Sequence, residues 1–360
     1  MGKSEKRKAL IKIAKDLDKI VHGVATDEKG EPTDTFIEYL DLMYTEDEAD
    51  VVSHLENLPN LKTLRTLAKE LQRDRKELKA LLKNLARRGY VLEISNQFLL
   101  PTPLFVYDLP FILKINTDSP EVKKLAELSR KYFEDGYYVK WSTQRIGNPR
   151  FRILTISEKI ESSKQIVPLE EIYSLIEKSR TVCVMPCPCR SRHDIEGIRQ
   201  CDYPVETCLT FNLYAESLLT MNDPAVRQLT KEEAIELVKK TAELGLVHAT
   251  DNYQGEMHII CSCCEDCCSQ LAGMLRPGLN KSPSIAKANY IASIDSEACT
   301  ACQTCLDRCK FGAITVNDHA IVDEEKCMGC GLCAVTCPSD AITMKRLERE
   351  EIPITEHVPF

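Results

Sequence analysis

The sequence predicts a multidomain α+β protein, and three observations lead to this fold class. The 360 residues are enough for two or three domains. Amphipathic helical stretches and short strand-like runs both occur along the chain. All 18 cysteines lie between Cys183 and Cys337, so a cysteine-free half precedes a cysteine-rich half. The expected units are a helical domain, an α/β connecting segment, a cysteine-rich α/β domain, a small repeat domain and a tail, at residues 1–110, 111–180, 181–288, 289–345 and 346–360.

Composition narrows the function classes before any motif is considered. No apolar run approaches the roughly 18 residues of a membrane span, so we do not expect a membrane protein. The net charge of −8 argues against a protein that binds nucleic acid over its whole surface. The Lys-rich start of the sequence lacks the apolar segment of a secretory signal, which predicts a cytoplasmic location. In that reducing compartment, dense cysteines indicate metal binding rather than disulfides.

The first domain is predicted from helix signals. Thr45 and Asp74 begin two capping patterns, and Gly89 ends the second of these helices. A β-hairpin is expected directly afterwards, in residues 90–100. Helix, helix–turn–helix and hairpin together resemble a winged helix-turn-helix domain over residues 40–105.

Winged-helix domains often bind DNA through the second helix of the turn unit, so the charge of that region matters. Residues 61–89 carry ten Lys or Arg against three Asp or Glu, but the expected wing tip, residues 95–97, is uncharged. We therefore favour dimerisation or partner docking over DNA binding. If DNA does bind, the side chains that could face phosphates are Arg73, Arg75, Lys76, Lys79, Lys83, Arg87 and Arg88.

The strongest motif is an internal repeat near the C-terminus. The spacing C-x2-C-x2-C-x3-C starts at Cys299 and recurs at Cys327, where Pro338 follows the fourth cysteine. This repeat resembles the bacterial two-[4Fe-4S] ferredoxins over about residues 290–345. In one place it departs from them, because Lys310 stands where a proline usually follows the fourth cysteine.

The ferredoxin resemblance implies a ligand set for each of two [4Fe-4S] clusters, with the fourth cysteine of each repeat ligating the other cluster. Gly329 and Gly331 would let backbone N–H groups approach the cluster sulfurs. One implied set is Cys299, Cys302, Cys305 and Cys337. The other is Cys327, Cys330, Cys333 and Cys309.

Ten further cysteines lie in residues 183–268. We call this stretch the second cysteine field and also interpret it as metal-binding. They fall into two groups, each after a strand-like run: Cys183, Cys187, Cys189, Cys201 and Cys208, then Cys261, Cys263, Cys264, Cys267 and Cys268. Thiolate-rich sets favour Fe–S clusters or zinc, and we favour at least one more Fe–S cluster. The predicted ligands are Cys187, Cys189, Cys201 and Cys208 in one set and Cys263, Cys264, Cys267 and Cys268 in the other.

Several alternatives remain open for this field. The two groups could share one cluster, and Cys183 and Cys261 are held in reserve as ligands. Adjacent cysteines cannot easily ligate one iron, so some would face different clusters or stay free thiols. Arg190, Arg192 and His193 follow Cys189, and His258 precedes Cys261; we expect surface or supporting roles for these side chains. No catalytic residue is identified.

The chain as a whole resembles 4Fe-4S ferredoxin-type proteins of anaerobic microbes, in which a helical domain precedes a C-x-C-R motif, a C-x-C-C run and a two-cluster ferredoxin. Cys187–Arg190 and Cys261–Cys264 match those two motifs. We therefore predict an electron-transfer protein that relays single electrons to or from a partner oxidoreductase with a basic docking patch, as a carrier or a subunit, with a homodimer or larger complex as options. The alternatives are an Fe–S enzyme acting on a substrate or disulfide at Cys183–Cys268, and a redox-sensing DNA-binding regulator.

Overall fold

A computed structural model describes residues 2–20, 22–57, 59–137, 149–156, 172–252, 255–275 and 285–347. Two stretches of the predicted connecting segment, 138–148 and 157–171, lie outside the described residues. The same holds for residues 348–360 of the predicted tail.

The N-terminal region is mainly helical, and its helices begin where the sequence places caps. The Thr45 hydroxyl accepts a hydrogen bond from the Glu48 backbone N–H while the Glu48 carboxylate accepts one from the Thr45 N–H, which confirms that capping box. The Asp74 carboxylate accepts hydrogen bonds from the N–H groups of Lys76 and Glu77. The helices are α1 (Lys3–Leu17), α2 (Asp34–Met43), α3 (Glu46–Val52), α4 (Leu64–Glu70), α5 (Arg75–Arg87), α6 (Pro103–Asp108), α7 (Lys114–Thr117) and α8 (Val122–Tyr132).

A small antiparallel sheet accompanies these helices. Its strands are β1 (Lys62–Thr63), β2 (Leu92–Ile94) and β3 (Gln97–Leu99), in the order β1-β3-β2. The β2–β3 pair is the hairpin expected after Gly89. The assignment of this region to the winged-helix fold stays a prediction.

The central region is built on a seven-stranded sheet in the order β10-β4-β8-β9-β6-β5-β7. Every neighbouring pair is antiparallel except β10 with β4. The strands are β4 (Phe151–Ile153), β5 (Val182–Pro186), β6 (Glu206–Phe211), β7 (Arg227–Gln228), β8 (Val247–Asp251), β9 (Ile259–Cys263) and β10 (Ile285–Ala286). The three strands that carry cysteines, β9, β6 and β5, are therefore consecutive within the sheet.

Five helices join and flank this sheet. They are α9 (Ile172–Lys178), α10 (Pro188–Glu196), α11 (Asn212–Thr220), α12 (Lys231–Leu244) and α13 (Ala272–Leu275). Helix α12 begins with a capping box from Thr230 and Glu233 and ends at Gly245 in the left-handed conformation. Its buried residues pack on the sheet side, as the amphipathic pattern of residues 231–245 predicts.

The C-terminal region repeats a short helix and a strand pair. Strand β11 (Tyr290–Ile294) pairs with β14 (Ile342–Arg346), and β12 (Ile314–Val316) pairs with β13 (Ala320–Val322). Helices α14 (Thr304–Arg308) and α15 (Leu332–Val335) lie in the two cysteine motifs. Several hydrogen bonds attach the region to the central one. Among them, Thr155 Oγ1 donates to the Gly329 carbonyl at 2.8 Å, the Ile156 N–H to the Cys330 carbonyl at 3.3 Å, and Arg308 to the Leu244 carbonyl at 3.0 Å.

The predicted α+β class is confirmed by this mixture of helices and strands. The exact domain boundaries stay predictions. In the part of the chain that the structure describes, none of the helices has both the length and the apolar character needed to cross a bilayer.

Candidate metal centres

The cysteines of the repeat line two separate cavities. The first is lined by the sulfur-bearing side chains of Cys299, Cys302, Cys305 and Cys337. The second is lined by Cys309, Cys327, Cys330 and Cys333. In each cavity three cysteines come from one repeat and the fourth comes from the other repeat.

The surroundings of both cavities suit an anionic cluster. The Ala313 N–H donates to Cys309 Sγ at 3.2 Å, and the Ala320 N–H donates to Cys299 Sγ at 3.4 Å. Burial raises the pKa of the Cys330 thiol to about 12. A thiolate is therefore stable there only when a cation compensates its charge, as a cluster iron does.

One glycine shows how closely the backbone wraps the second cavity. Gly329 has a φ of +75°, and a Cβ at this position would lie 2.3 Å from the Tyr290 carbonyl oxygen. Only glycine combines this conformation with this approach without a shift of the backbone. A close backbone approach at Gly329 was predicted from the cysteine motif, and the structure supplies the physical reason for a glycine there.

Comparison with known families agrees with this geometry. A family described as a 4Fe-4S dicluster domain matches residues 292–344. The C-terminal region is a 4Fe-4S dicluster domain. The match leaves the central and N-terminal regions unassigned. Neither a curated protein nor a solved structure matches this chain.

Beyond the dicluster domain, six cysteines of the central region form a closed ring. Each thiol interacts with two neighbouring thiols. We call this group the six-thiol ring. Four of its members are buried and two, Cys189 and Cys261, are half-buried. Taken around the ring, the order is Cys187, Cys189, Cys268, Cys263, Cys261 and Cys208, which closes on Cys187.

Strand pairing explains why these six meet. Cys261 and Cys263 are two residues apart on β9, so their side chains lie on the same face of the sheet. Leu209 on β6 pairs with Ile260 on β9, and this antiparallel register sets Cys208 opposite Cys261. Cys187 follows the end of β5, the strand next to β6. The ring thus takes three thiols from each of the two groups in the sequence.

Ionisation within the ring follows its hydrogen bonds. The Cys187 thiol has a single S–H that can be donated to either neighbour, and this interaction lowers the pKa of Cys189 and of Cys208 well below the usual range. The same bonds raise the pKa of Cys187. The ring therefore favours a partly ionised set of thiols even without a bound metal.

Three other cysteines form a tight triad: Cys201, Cys264 and Cys267. Cys201 Sγ lies 3.7 Å from Cys267 Sγ and 4.0 Å from Cys264 Sγ. The pKa of Cys264 is lowered to about 6, and the largest cause of this shift is its interaction with the Cys267 thiol. Among the described residues, no three sulfurs of the six-thiol ring approach each other within 4.8 Å, whereas the triad does. The two groups therefore differ in the size of the metal centre they could surround.

Asp266 lies beside the triad and was not among the site residues predicted from the sequence. Its Oδ2 atom accepts hydrogen bonds from the backbone N–H of Gln200 at 2.9 Å and of Cys201 at 3.0 Å. These two bonds join the Cys201 loop to the loop that holds Cys264 and Cys267. The Cys267 thiol also lies 3.1 Å from the same Asp266 oxygen, within its own loop. The available signal was its position between Cys264 and Cys267, where a loop residue can reach across to another loop.

The remaining cysteine, Cys183, lies apart from both groups. It is fully buried, and its Sγ atom points to the Ala215 carbonyl at 3.9 Å. Burial raises the pKa of this thiol to about 11. Cys183 therefore behaves as an apolar core side chain.

The two arginines after Cys189 are buried rather than on the surface. Arg190 is 0% exposed; it donates to the Ser262 carbonyl at 3.0 Å and to the Thr207 hydroxyl, and it lies beside Cys187, Cys208 and Cys264. A buried guanidinium with neutral hydrogen-bond partners requires compensating negative charge, and the nearby sulfurs are where that charge can be.

Arg192 occupies a different environment from Arg190. Its guanidinium stacks 3.7 Å from the centre of the Tyr107 ring and forms an ion pair with Asp108 at 3.2 Å. It is 2% exposed and ties helix α10 to α6. Its role is to pack the N-terminal region against the cysteine-rich one.

His258 is also buried and lies 3.5 Å from Asp251, next to the sheet.

Proposed function

We propose that the protein transfers single electrons between a redox donor and a partner oxidoreductase through two [4Fe-4S] clusters. Cys299, Cys302, Cys305 and Cys337 would hold one cluster, and Cys309, Cys327, Cys330 and Cys333 the other. The observation that carries the proposal is the pair of cavities, each lined by four cysteines, within the dicluster domain. Each cluster supplies a site that gains or loses one electron at a time.

The six-thiol ring is proposed to hold a further Fe–S cluster. Six thiols at the ends of adjacent strands can surround a group of several metal ions, and Arg190 offsets the charge that ionised thiols and sulfide bring. Cys261 pairs with Ala249, and Ala249 pairs with Ile153, so β9 lies two strand spacings, about 10 Å, from β4.

A contact route then leads from β4 to the dicluster domain. The residues just after β4, Thr155 and Ile156, bond to the carbonyls of Gly329 and Cys330. In this arrangement, strands β8 and β4 and the short segment after β4 connect the proposed ring cluster to the second dicluster cavity. Such proximity supports a relay in which electrons pass between the two regions.

We also propose a cellular compartment, a type of metabolism and a redox partner for this protein. We assign the protein to a reducing cytoplasm and to anaerobic metabolism, because dense cysteines act there as metal ligands and Fe–S clusters persist. Residues 290–345 carry eight Asp or Glu against four Lys or Arg, which favours a redox partner with a basic docking patch. A dimer or a larger oxidoreductase complex is compatible with this role.

A second candidate is an Fe–S enzyme that acts on a substrate or disulfide at the central field. The six-thiol ring favours it, because six thiols exceed the four that one cubane cluster needs. The DNA-binding regulator is less favoured, because three of its expected phosphate-facing cations are engaged in ion pairs. Arg73 pairs with Asp47 at 2.6 Å, Lys83 with Glu93 at 2.7 Å and Arg88 with Glu48 at 3.0 Å.

Anaerobic counting of iron and acid-labile sulfide, combined with Mössbauer and EPR spectroscopy, tests the proposal. We expect about eight iron atoms per chain from the dicluster domain and additional iron from the ring. Cys208→Ser should lose only the additional iron, whereas the matched variant Cys183→Ser should keep all of it. Eight iron atoms and no more in the unmodified protein would refute the ring cluster, and markedly fewer would refute the electron relay. An EPR signal of the ring iron that responds to an added disulfide would favour the enzyme.

A further inference from the structure

The Cys201–Cys264–Cys267 triad has the dimensions of a site for a single metal ion. The two measured Sγ–Sγ distances are 3.7 and 4.0 Å, and all three sulfurs lie within 4.8 Å of one another. Tetrahedral zinc with Zn–S bonds of about 2.3 Å places its thiolate sulfurs about 3.8 Å apart. In a cubane cluster each thiolate binds a different iron, so the sulfurs are spread more widely.

The local backbone also has the form of a metal-binding turn. Cys264 and Cys267 are separated by two residues, and the Cys267 N–H donates to Cys264 Sγ at 3.4 Å. Such a hydrogen bond stabilises a thiolate on the first cysteine of the turn. Cys201 is held opposite this turn because its own N–H donates to the Asp266 carboxylate at 3.0 Å. The three sulfurs are therefore positioned by backbone geometry and not only by side-chain packing.

Asp266 and His193 lie on the Cys267 side of the triad. A ring nitrogen of His193, a carboxylate oxygen of Asp266 and Cys267 Sγ all lie within 4.8 Å of one another. The Asp266 oxygen is already engaged by two backbone N–H groups, so it supports the ligands rather than competing with them. Three thiolates leave one position of a tetrahedral zinc ion for a further donor.

We propose that Cys201, Cys264 and Cys267 bind one zinc ion, separate from the Fe–S clusters. Arg190 contributes positive charge beside Cys264, and Arg199 donates to the Cys201 carbonyl at 2.8 Å, so the net negative charge of a three-thiolate site is offset. The zinc ion joins the loop after α10 to the loop after β9. This site does not depend on the proposed electron relay.

The position of this zinc site explains the unusual residue in the ferredoxin motif. Glu265 lies between the two triad cysteines of the turn, and its carboxylate pairs with Lys310 Nζ at 2.5 Å. Lys310 directly follows Cys309, which lines the second cavity. Lys310 Nζ also lies 3.4 Å from the hydroxyl of Tyr203 in the Cys201 loop. A zinc ion at the triad would hold the Cys264–Cys267 turn in place, and Glu265 of this turn would then fix the position of Lys310 in the dicluster domain.

The test is elemental analysis of the full-length protein purified without oxygen and without added zinc. We expect about one zinc ion per chain in addition to iron. Cys201→Ser should lose zinc while its iron content and the EPR spectrum of the dicluster domain stay unchanged, and the retained spectrum shows that the variant folds. Cys183→Ser, which changes a buried thiol outside the triad, should keep both metals.

Cobalt gives an independent readout of the ligands. Protein produced with Co²⁺ should show thiolate-to-cobalt charge-transfer absorption, which weakens in Cys201→Ser and stays unchanged in Cys183→Ser. A zinc content near zero in the unmodified protein, or loss of iron in place of zinc in Cys201→Ser, would overturn the proposal and assign the triad to a cluster. If the unmodified protein contained zinc but no iron, only the proposed electron relay would be contradicted.

Discussion

The dicluster domain and the six-thiol ring show two different ways to assemble thiols. In the dicluster domain, each cavity draws three cysteines from one motif of seven residues, such as Cys327–Cys333, and a fourth from the other repeat. In the ring, thiols that are up to 81 positions apart in sequence, Cys187 and Cys268, become close because β9, β6 and β5 are adjacent. Spacing specifies the first arrangement and strand pairing specifies the second.

The two regions also differ in how they compensate negative charge. Around the dicluster cavities, backbone N–H groups such as those of Ala313 and Ala320 donate to cysteine sulfurs. Beside the ring, a fully buried guanidinium, that of Arg190, provides a whole positive charge. The difference implies that the ring is more sensitive to one side chain, whereas the dicluster domain is more sensitive to the shape of its backbone.

The largest effect is expected from removing the buried cation. Arg190→Met leaves the sulfur charge of the ring uncompensated, and breaking a buried charge pair costs about 3–5 kcal/mol. We expect this variant to lose the iron of the ring while keeping the roughly eight iron atoms of the dicluster domain. Iron counting and EPR spectroscopy measure both quantities on one sample.

Arg190→Lys is the matched control for that prediction. It retains the positive charge but not the planar set of donors that reaches Ser262 and Thr207. We expect it to keep more ring iron than Arg190→Met. Equal loss in the two variants would show that hydrogen bonding, rather than charge, sets the difference between the regions.

The contrast between the regions also explains what the sequence could predict. The dicluster domain follows from a local repeat, and the helix starts at Thr45 and Asp74 follow from capping residues, because these signals act over a few positions. Strand order is non-local, so no spacing rule could show that Cys208 lies opposite Cys261 or that Cys264 and Cys263 face different groups. The burial of Arg190 was missed for the same reason, since it depends on Ser262 of a distant strand.

Backbone shape in the dicluster domain is tested by a pair of glycines. Both Gly329 and Gly312 have positive φ, so alanine costs about 1–2 kcal/mol at either position. At Gly329 the new Cβ would also lie 2.3 Å from the Tyr290 carbonyl oxygen, whereas at Gly312 it would meet nothing within 4 Å. Gly329→Ala should therefore release iron to a chelator faster than Gly312→Ala. Equal release rates would contradict a role for this close approach.

The central sheet carries a pH dependence of its own through His248. Burial lowers the pKa of His248 to about 4 from the ordinary 6.5, so the unfolded chain binds the proton more tightly. The free energy of unfolding therefore falls as the pH drops below about 6.5, by up to about 1.4 kcal/mol per pH unit. Urea unfolding of the central region at several pH values should show this slope, and His248→Gln should reduce it. Parallel pH curves for the two proteins would contradict the assignment.

The smallest effect concerns the ion pair that joins the two regions. Lys310 and Glu265 are 15% and 43% exposed at their side chains, and pairs of this kind contribute about 0.2–1 kcal/mol. A double-mutant cycle with Lys310→Met and Glu265→Gln should give a coupling energy in that range, smaller at high salt because ions screen exposed charges.

If the pair also fixes the dicluster domain on the central region, each single variant should slow electron exchange between ring and dicluster iron in freeze-quench EPR. Because the pair lies outside both cysteine cavities, unchanged exchange rates with a normal coupling energy would show that it stabilises the contact without setting the electron path.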